Sequence, residues 1–168
     1  MEFRMAVMQD LEQLKAVYRE IIGDMGARGI DIWDDIYPCE FFADDIEKKR
    51  LYVLKDGDEI LSAFAMEDTN DGEQAVTWSD MGAKVLYMER LGVNVKYAGK
   101  GIATLMIEKA KEVAKMSGAK YLRLFAADIN KPAICLYEKN GFIKADGIYD
   151  MVFDDGFVLH GAGYEFFV

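Results

Sequence analysis

The chain has 168 residues and a formal net charge of −10, with 52% hydrophobic and 30% charged residues. This length suits one compact domain with a substantial hydrophobic core, so we expect a single domain over residues 1–168. The acidic balance argues against a nucleic-acid partner, because phosphate binding needs clustered Lys and Arg. No apolar run reaches the roughly 18 residues that span a bilayer, so we expect a soluble protein without a membrane partner.

The N-terminus and the cysteines indicate a location. The first residues, MEFRMAVMQDLEQL, lack the basic start and the continuous apolar stretch of a secretion signal. Cys39 and Cys135 lie far apart and match no metal-ligand or redox spacing, which favours free thiols in a reducing compartment. We therefore expect a cytoplasmic protein.

Apolar periodicity predicts the first elements of the chain. Leu11 to Met25 carries the i, i+3, i+4 rhythm of a helix, with Asp10 placed to cap it. A short helix is predicted over residues 40–49. The later elements follow in this order: a hairpin over 51–66 that turns at Asp56-Gly57, strands over 75–78 and 85–95, a helix over 101–117, a strand over 121–126, a helix over 132–140, and closing strands in FDDGFV and GYEFFV. This order predicts an α/β fold, a mixed sheet with helices on both faces.

The segment from Val93 to Val113 changes from strand to glycine-bearing basic loop to amphipathic helix. Gly99 and Gly101 can adopt backbone angles that other residues avoid, and they let a ligand lie against the main chain. The helix that follows offers unpaired N–H groups and the positive end of its dipole. Such a place binds phosphate groups.

Two familiar phosphate loops are excluded by particular residues. A Walker A loop needs Ser or Thr after its lysine, whereas Gly101 follows Lys100. A dinucleotide fingerprint needs a third glycine where this chain has Thr104, and no suitable acid stands about 20 residues further on. On this segment alone, the alternative that the glycines only turn a strand into a helix stays open.

The segments LGVNVKYAGKGIAT and NKPAICLYEKNGF resemble the GNAT superfamily of N-acetyltransferases, over roughly residues 85–142. The family's phosphate loop has Arg or Gln, two residues, Gly, one residue, then Gly or Ala. In the frame that begins at Ala98 the two small-residue positions match, and Ala98 departs from the pattern. The second segment matches the family at Asn130, Ala133, Tyr137, Gly141 and Phe142.

The resemblance implies a GNAT-like, mostly antiparallel central sheet whose parallel central strands splay apart, and acetyl-coenzyme A as co-substrate. It assigns cofactor binding to Leu91, Gly92 and Val93 on the strand, and to Gly99, Lys100, Gly101, Ile102, Ala103 and Thr104 in the loop and helix start. Asn130 would touch the pantetheine arm or order the start of its own helix.

The reaction that the resemblance implies is direct attack of a neutral amine on the thioester. Tyr137 matches the family's thiolate acid, and the alternative is a tyrosine that packs on the sheet. Tyr87, Glu89, Leu91 and Val93 share one strand face by period two, and Glu89 is the candidate base. A surface carboxylate paired with lysine, or a water relay, remains open for that role.

The acceptor would bind in the variable N-terminal part, where Trp33 and Tyr37 stand among further rings and carboxylates, namely Asp34, Asp35, Phe41 and Phe42. This set suits an amine cation, and the alternative is that the rings cover the first helix. We interpret His160 as structural and Cys135 as a small buried residue without a catalytic role. No metal site is predicted.

The sequence therefore predicts an acetyl-coenzyme A-dependent N-acetyltransferase that acts on a primary amine of a small molecule or peptide. Two alternatives remain open: a non-catalytic module that senses coenzyme A, and an acyltransferase that uses a longer acyl chain. A homodimer is also left open. The acceptor itself cannot be chosen from the fold, because one scaffold serves many acceptors.

Overall fold

The computed structural model describes residues 1–153 and 155–168. These form two compact units: Met1–Met66 with Glu89–Met106, and Glu67–Met88 with Ile107–Val168. A single domain over residues 1–168 stays a prediction. No helix in the described part of the chain is both long enough and apolar enough to cross a membrane.

The described residues contain four α-helices and ten strands. In chain order they are β1 Glu2–Met5, α1 Leu11–Ala27, α2 Phe42–Glu47, β2 Leu51–Asp56, β3 Glu59–Glu67, β4 Val76–Thr77, β5 Val85–Val93, α3 Ile102–Met116, β6 Tyr121–Ala127, α4 Lys131–Lys139, β7 Ile143–Lys144, β8 Asp146–Gly147, β9 Tyr149–Val152 and β10 Val158–Phe167. The strands pair mostly antiparallel, and β5 and β6 form a parallel pair. The predicted mixed α/β fold is confirmed.

All four predicted helices are confirmed, and the errors fall on short strands and turns. The sequence did not predict β1, β7, β8 or β9. FDDGFV was predicted as a strand, but Phe153 and Phe157 bracket a turn that the Phe153 N–H closes on the Phe157 carbonyl at 2.8 Å. Gly156 takes a positive φ of 84° there, and Asp154 lies outside the described residues. The earlier hairpin turns one residue later than predicted, because Asp56 still pairs with Glu59 in the ladder.

In the first unit, helix α1 buries one face against strands β2 and β3 and the end of β5. The buried residues follow the predicted helical rhythm: Leu14, Val17, Tyr18, Ile21 and Met25. The Tyr18 ring is fully buried, and its hydroxyl lies 3.0 Å from the Ala63 carbonyl on β3 and 2.6 Å from the Arg90 carbonyl on β5. Helix α1 thereby fixes the position of the strand that leads into the glycine loop.

In the second unit, strand β10 pairs with β6 along most of its length and with β7 and β9 on its other side. The parallel register of this unit places Val85 opposite Tyr121 and Tyr87 opposite Arg123. A small apolar cluster forms around Trp78, whose ring lies 5.6 Å from that of Phe125. Helix α4 follows β6 directly and carries the second matched segment of the sequence.

Asp10 does not cap α1, in contrast to the prediction. Its side chain is only 3% exposed and instead accepts the Val7 N–H at 2.9 Å. It also accepts two hydrogen bonds from Arg4, at 2.7 and 3.0 Å, and one from Lys55 at 3.2 Å. The hydrogen bond from Arg4 is the main cause that lowers the pKa of Asp10 to about 2.

Replacing Asp10 with Asn should lower the free energy of unfolding by about 2 kcal/mol at pH 7, which is the equivalent of a carboxyl pKa that falls from 3.8 to about 2 on folding. Because the pKa is depressed in the folded state, this stability is present above pH 3.8 and is lost as the pH falls towards 2. Urea unfolding across that pH range measures the difference. Asp58→Asn at the exposed turn is the control, and an equal loss in both variants would contradict the assignment.

Candidate active site

The glycine loop between β5 and α3 is exposed and open. Asn94 begins it as a buried residue whose side chain accepts the Lys96 N–H at 3.1 Å and donates to the Ile60 carbonyl at 3.0 Å. Gly99 and Gly101 have φ values of 73° and 79°, and a Cβ at either would meet no heavy atom within 4 Å. Both positions therefore favour glycine because of their positive φ, and the space beside them is open.

Helix α3 opens directly from this loop. Its hydrogen-bond ladder begins where the Leu105 N–H donates to the Gly101 carbonyl at 3.1 Å. The N–H groups of the preceding positions, Ile102 to Thr104, have no intrahelical acceptor in such a helix, because the acceptors would lie before its first turn. An anion at this end would meet those N–H groups and the positive end of a 15-residue helix.

Charged side chains surround the loop. The Lys100 ammonium lies 4.8 Å from the centre of the Tyr97 ring, and the Tyr97 hydroxyl donates to Glu59 at 2.6 Å. That hydrogen bond, followed by one from Lys96, lowers the pKa of the Glu59 carboxyl. Glu59 is thus held as an anion by its neighbours, and Lys100 stays beside the two glycines through its contact with the ring.

Strand β5 places the predicted residues Glu89, Leu91 and Val93 at partly exposed positions that alternate with buried ones. Gly92 is buried, and a Cβ there would lie 2.7 Å from the Tyr18 ring. The Gly92 carbonyl accepts a hydrogen bond from the Ser62 hydroxyl at 2.6 Å. The role that the structure gives Gly92 is close approach to α1.

In the second unit, Asn130 and Tyr137 lie at the two ends of α4. The Asn130 side chain accepts the Ala133 N–H at 3.3 Å, so this residue orders the start of the helix, one of the two predicted roles. Tyr137 is 9% exposed, and its ring centre lies 5.9 Å from Phe142 and 6.4 Å from Tyr164. The rings of the matched segment thus pack together, with Tyr137 oriented by two neighbours.

The predicted acceptor residues in the first unit divide into core and surface. Trp33 packs against the core and stacks on Tyr18 with ring centres 5.6 Å apart, and Phe42 is fully buried. Asp34 accepts the backbone N–H of Tyr37 at 2.7 Å, which commits that carboxylate to a turn. Tyr37 stays partly exposed. Phe42 is therefore a core residue and is unavailable as part of an acceptor wall.

The sequence analysis did not identify two buried arginines. Arg90 is 8% exposed and pairs with Asp45, and Arg123 is 3% exposed and pairs with Glu165 at 3.3 Å. The signal that could have found them is a positive charge at an inward position of a strand, which needs a buried partner. Arg123 also lies 4.5 Å from the Trp78 ring centre.

Arg123 lines a cavity of about 450 Å³ within the second unit. Other residues that line it are Asp68, Glu73, Trp78, Lys84 and Tyr87. The sequence analysis assigned no role to this region.

His160 forms a contact between two strands, whereas Cys135 lies at the surface. His160 on β10 lies opposite Asp150 on β9, and its Nδ1 is 2.6 Å from the Asp150 carboxylate. This hydrogen bond is the main cause that raises the pKa of His160 above its usual 6.5. Cys135 on α4 is exposed, not buried as predicted, and both cysteines are free thiols.

The chain is similar to known acetyltransferases. A family model described as the acetyltransferase (GNAT) family matches residues 14–142. The chain is 26% identical over 147 residues to the Bacillus subtilis protein named "Putative phosphinothricin acetyltransferase YwnH", a match that covers 86% of this chain and 85% of that protein. It is 33% identical over 81 residues to the thialysine N-epsilon-acetyltransferase of Sus scrofa, 46% of each protein.

Solved structures share the fold. A GNAT-family acetyltransferase from Streptococcus agalactiae matches with a TM-score of 0.83 at 18% identity, over 99% of this chain and 95% of that one. Arabidopsis thaliana NAA60 in complex with a bisubstrate analogue matches with a TM-score of 0.70 at 19% identity, over 99% and 97%. The fold predicted from the two sequence segments is confirmed.

Because the chain has one histidine, the Asp150–His160 pair can be followed by NMR without assignment. The imidazole should titrate with a pKa above 6.5, and Asp150→Asn should bring that pKa down towards 6.5. The pair's contribution to stability should be present below the unfolded pKa and be lost as the pH rises through the folded one. Asp128→Asn, which removes a weaker influence, should lower the pKa less, and an unchanged pKa in Asp150→Asn would contradict the pairing.

Proposed function

The chain belongs to the GNAT acetyltransferase family, and we propose that it transfers an acetyl group from acetyl-coenzyme A to a primary amine of a small molecule or peptide. The observation that carries this proposal is the exposed loop at Gly99 and Gly101. Both glycines have open space around them, and the first turn of α3 follows directly. Two relatives are named for the acetylation of phosphinothricin and of thialysine, which supports an amine acceptor. The proposal includes one acetyltransferase domain over residues 1–168.

The residues present fit the pyrophosphate of coenzyme A. Acetyl-coenzyme A supplies an activated thioester and an anionic pyrophosphate. The backbone N–H groups of Gly99 and of Gly101 to Thr104, including those of Ile102 and Ala103, would hold the anion at the helix N-terminus, whereas the Lys100 N–H donates to the Tyr97 carbonyl at 3.3 Å. Lys100, which lies on the Tyr97 ring, adds a positive charge beside them. Ala98 provides no side-chain ligand, so the main chain would carry the binding.

Strand alternation narrows which residues of β5 would bind the pantetheine arm. The Gly92 carbonyl is directed towards Ser62 on β3, and the Asn94 N–H donates to the Leu61 carbonyl of the same strand. Val93 lies between them and, by strand alternation, directs its backbone groups to the opposite edge, as does Leu91 on the other side of Gly92. Leu91 and Val93 would therefore bond the pantetheine amides, with Gly92 serving the packing on α1.

The acetyl transfer needs two proton transfers, and a different residue would carry out each of them. The attacking amine gives up a proton, which Glu89 would accept directly or through water. The departing sulfur takes a proton, which the Tyr137 hydroxyl would donate. Tyr137 is buried among Phe142 and Tyr164, and packing of this kind restricts the directions in which the hydroxyl can donate.

The acceptor would bind beside Trp33 and Tyr37 of the first unit. Tyr37 is partly exposed, and the neighbouring carboxylate of Asp35 is exposed. The face of an aromatic ring with a carboxylate nearby favours an ammonium group as it approaches. Trp33 would contribute the part of its ring that is not stacked on Tyr18.

Release of free thiol from acetyl-coenzyme A, measured across a panel of amines, tests the activity. At least one amine should release thiol with wild-type protein. Gly101→Asp should weaken binding of coenzyme A by about 10- to 100-fold, because it places a negative charge against the pyrophosphate and removes charge-assisted hydrogen bonds. Calorimetry measures this affinity.

Gly29→Asp is the matched control, because Gly29 also has a positive φ, 72°, and open space around it. It should leave the affinity unchanged. Equal affinity in wild type and Gly101→Asp would contradict the loop assignment. Tight binding of coenzyme A without thiol release from any amine would favour the sensor, and faster release from longer acyl chains would favour the other alternative.

Tyr137→Phe should keep the affinity for coenzyme A within a few fold and lower turnover by about 10²-fold, because it removes only the proton that would go to sulfur. Both quantities are measured in one preparation with the amine found in the panel. Tyr164→Phe is the control, since it removes a hydroxyl from the neighbouring ring on β10. Full turnover in Tyr137→Phe would make Tyr137 a packing residue.

A further inference from the structure

Arg90 has a backbone conformation that residues with a Cβ rarely adopt. Its φ is 56°, in the left-handed region, although it lies inside strand β5 between Glu89 and Leu91. Among the described residues, Lys49 is the other non-glycine residue with a positive φ, 55°, and it lies on the surface just after α2. A strained residue inside a strand persists only where its surroundings fix it.

A buried ion pair fixes the Arg90 side chain. The fully buried Asp45 carboxylate accepts two hydrogen bonds from the Arg90 guanidinium, each of 3.1 Å. It also accepts one from Arg50 at 2.7 Å, and the Phe41 ring centre lies 5.1 Å from the Arg90 guanidinium carbon. Because an unpaired buried charge is costly, the guanidinium is tied to α2.

The backbone from Arg90 to Gly92 is held as well. The Tyr18 hydroxyl lies 2.6 Å from the Arg90 carbonyl oxygen, and the Ser62 hydroxyl donates to the Gly92 carbonyl. Both carbonyls are thereby occupied inside the first unit. The direction of the backbone groups of Leu91 and Val93 thus depends on the conformation at Arg90.

We propose that Asp45 and Arg90 are positioning residues for the coenzyme A site. Their ion pair holds the left-handed residue of β5, and that residue directs the N–H and C=O groups of Leu91 and Val93 to the edge where the pantetheine would bind. Both side chains are buried and paired with each other, which leaves them no proton-transfer role. The inference rests on the proposed function, because it names how the same site is kept in shape.

The test separates the backbone conformation from the guanidinium. Arg90→Ala removes the ion pair and keeps a Cβ that resists a positive φ. It should weaken coenzyme A binding and raise the KM for acetyl-coenzyme A by about tenfold, as expected when two backbone hydrogen bonds are weakened. Arg90→Gly also removes the pair but favours the left-handed region, so its affinity should stay within about threefold of wild type.

Asp45→Asn tests the other side of the pair, and Lys49→Ala and Lys49→Gly are the matched controls. Asp45→Asn should act in the same direction as Arg90→Ala, because it weakens the hold on the guanidinium. The Lys49 variants change a residue of nearly the same φ outside the site. They should alter stability in urea and leave the affinity for coenzyme A and the KM unchanged.

Several outcomes would overturn the inference. Loss of stability in Arg90→Ala and Asp45→Asn with unchanged affinity and KM would leave the pair purely structural. An equal loss of affinity in Arg90→Gly and Arg90→Ala would show that the guanidinium matters and the backbone conformation does not. If these variants fail to fold, the amide signals of Leu91 and Val93 in the wild-type protein decide, since both should shift when coenzyme A is added, and unmoved signals would refute the proposal.

The proposed function and this inference fail in different ways. Absence of coenzyme A binding by the wild-type protein would remove the proposed function. Binding and acetyl transfer by the wild type, together with unchanged constants in Arg90→Ala and Asp45→Asn, would remove the inference alone.

Discussion

The compensation of one buried charge organises the strand on which the candidate site is built. Asp45 is fully buried, and the guanidinium groups of Arg90 and Arg50 compensate it. Removing one partner of such a pair typically costs about 3–5 kcal/mol, because the remaining charge is left uncompensated. The pair therefore ties β5 to helix α2 and holds Arg90 in a conformation that the strand would not adopt by itself.

The same strand is fitted closely to helix α1. Gly92 passes so near the Tyr18 ring that a Cβ would overlap it, and the Tyr18 hydroxyl bridges the carbonyls of Ala63 and Arg90. The glycine loop that follows has the opposite character, because Gly99 and Gly101 are exposed and surrounded by open space. A rigid strand that leads into an open loop is a suitable arrangement for a site that must hold an elongated ligand in register.

The second unit supplies a different kind of order. Asn130 caps α4, and the aromatic rings of Tyr137, Phe142 and Tyr164 pack around the end of that helix. Arg123 on β6 and Glu165 on β10 form an ion pair in this unit. Glu165 also accepts the Ser79 N–H at 2.8 Å. The buried Glu165 carboxylate is tolerated because both of its oxygens accept a hydrogen bond.

The sequence by itself determined the features that depend on neighbours along the chain. The four helices follow from apolar periodicity, the loop from the two glycines just before α3, and the start of α4 from Asn130 and Pro132. Tertiary structure decided what depends on partners far along the chain. Asp10 accepts a hydrogen bond from Lys55, 45 residues away in the sequence, and does not cap α1.

The left-handed conformation of Arg90 likewise needs Asp45, which lies 45 residues away in the sequence. Strand β1 forms because β2 is there to pair with it, and Asp155 and Gly156 turn because β9 and β10 pair on either side of them. Local pattern reports which conformations a segment can adopt. The partner of a buried charge or an edge strand is chosen only when the chain has folded, because the free energy of that pairing lies between residues that the local pattern does not connect.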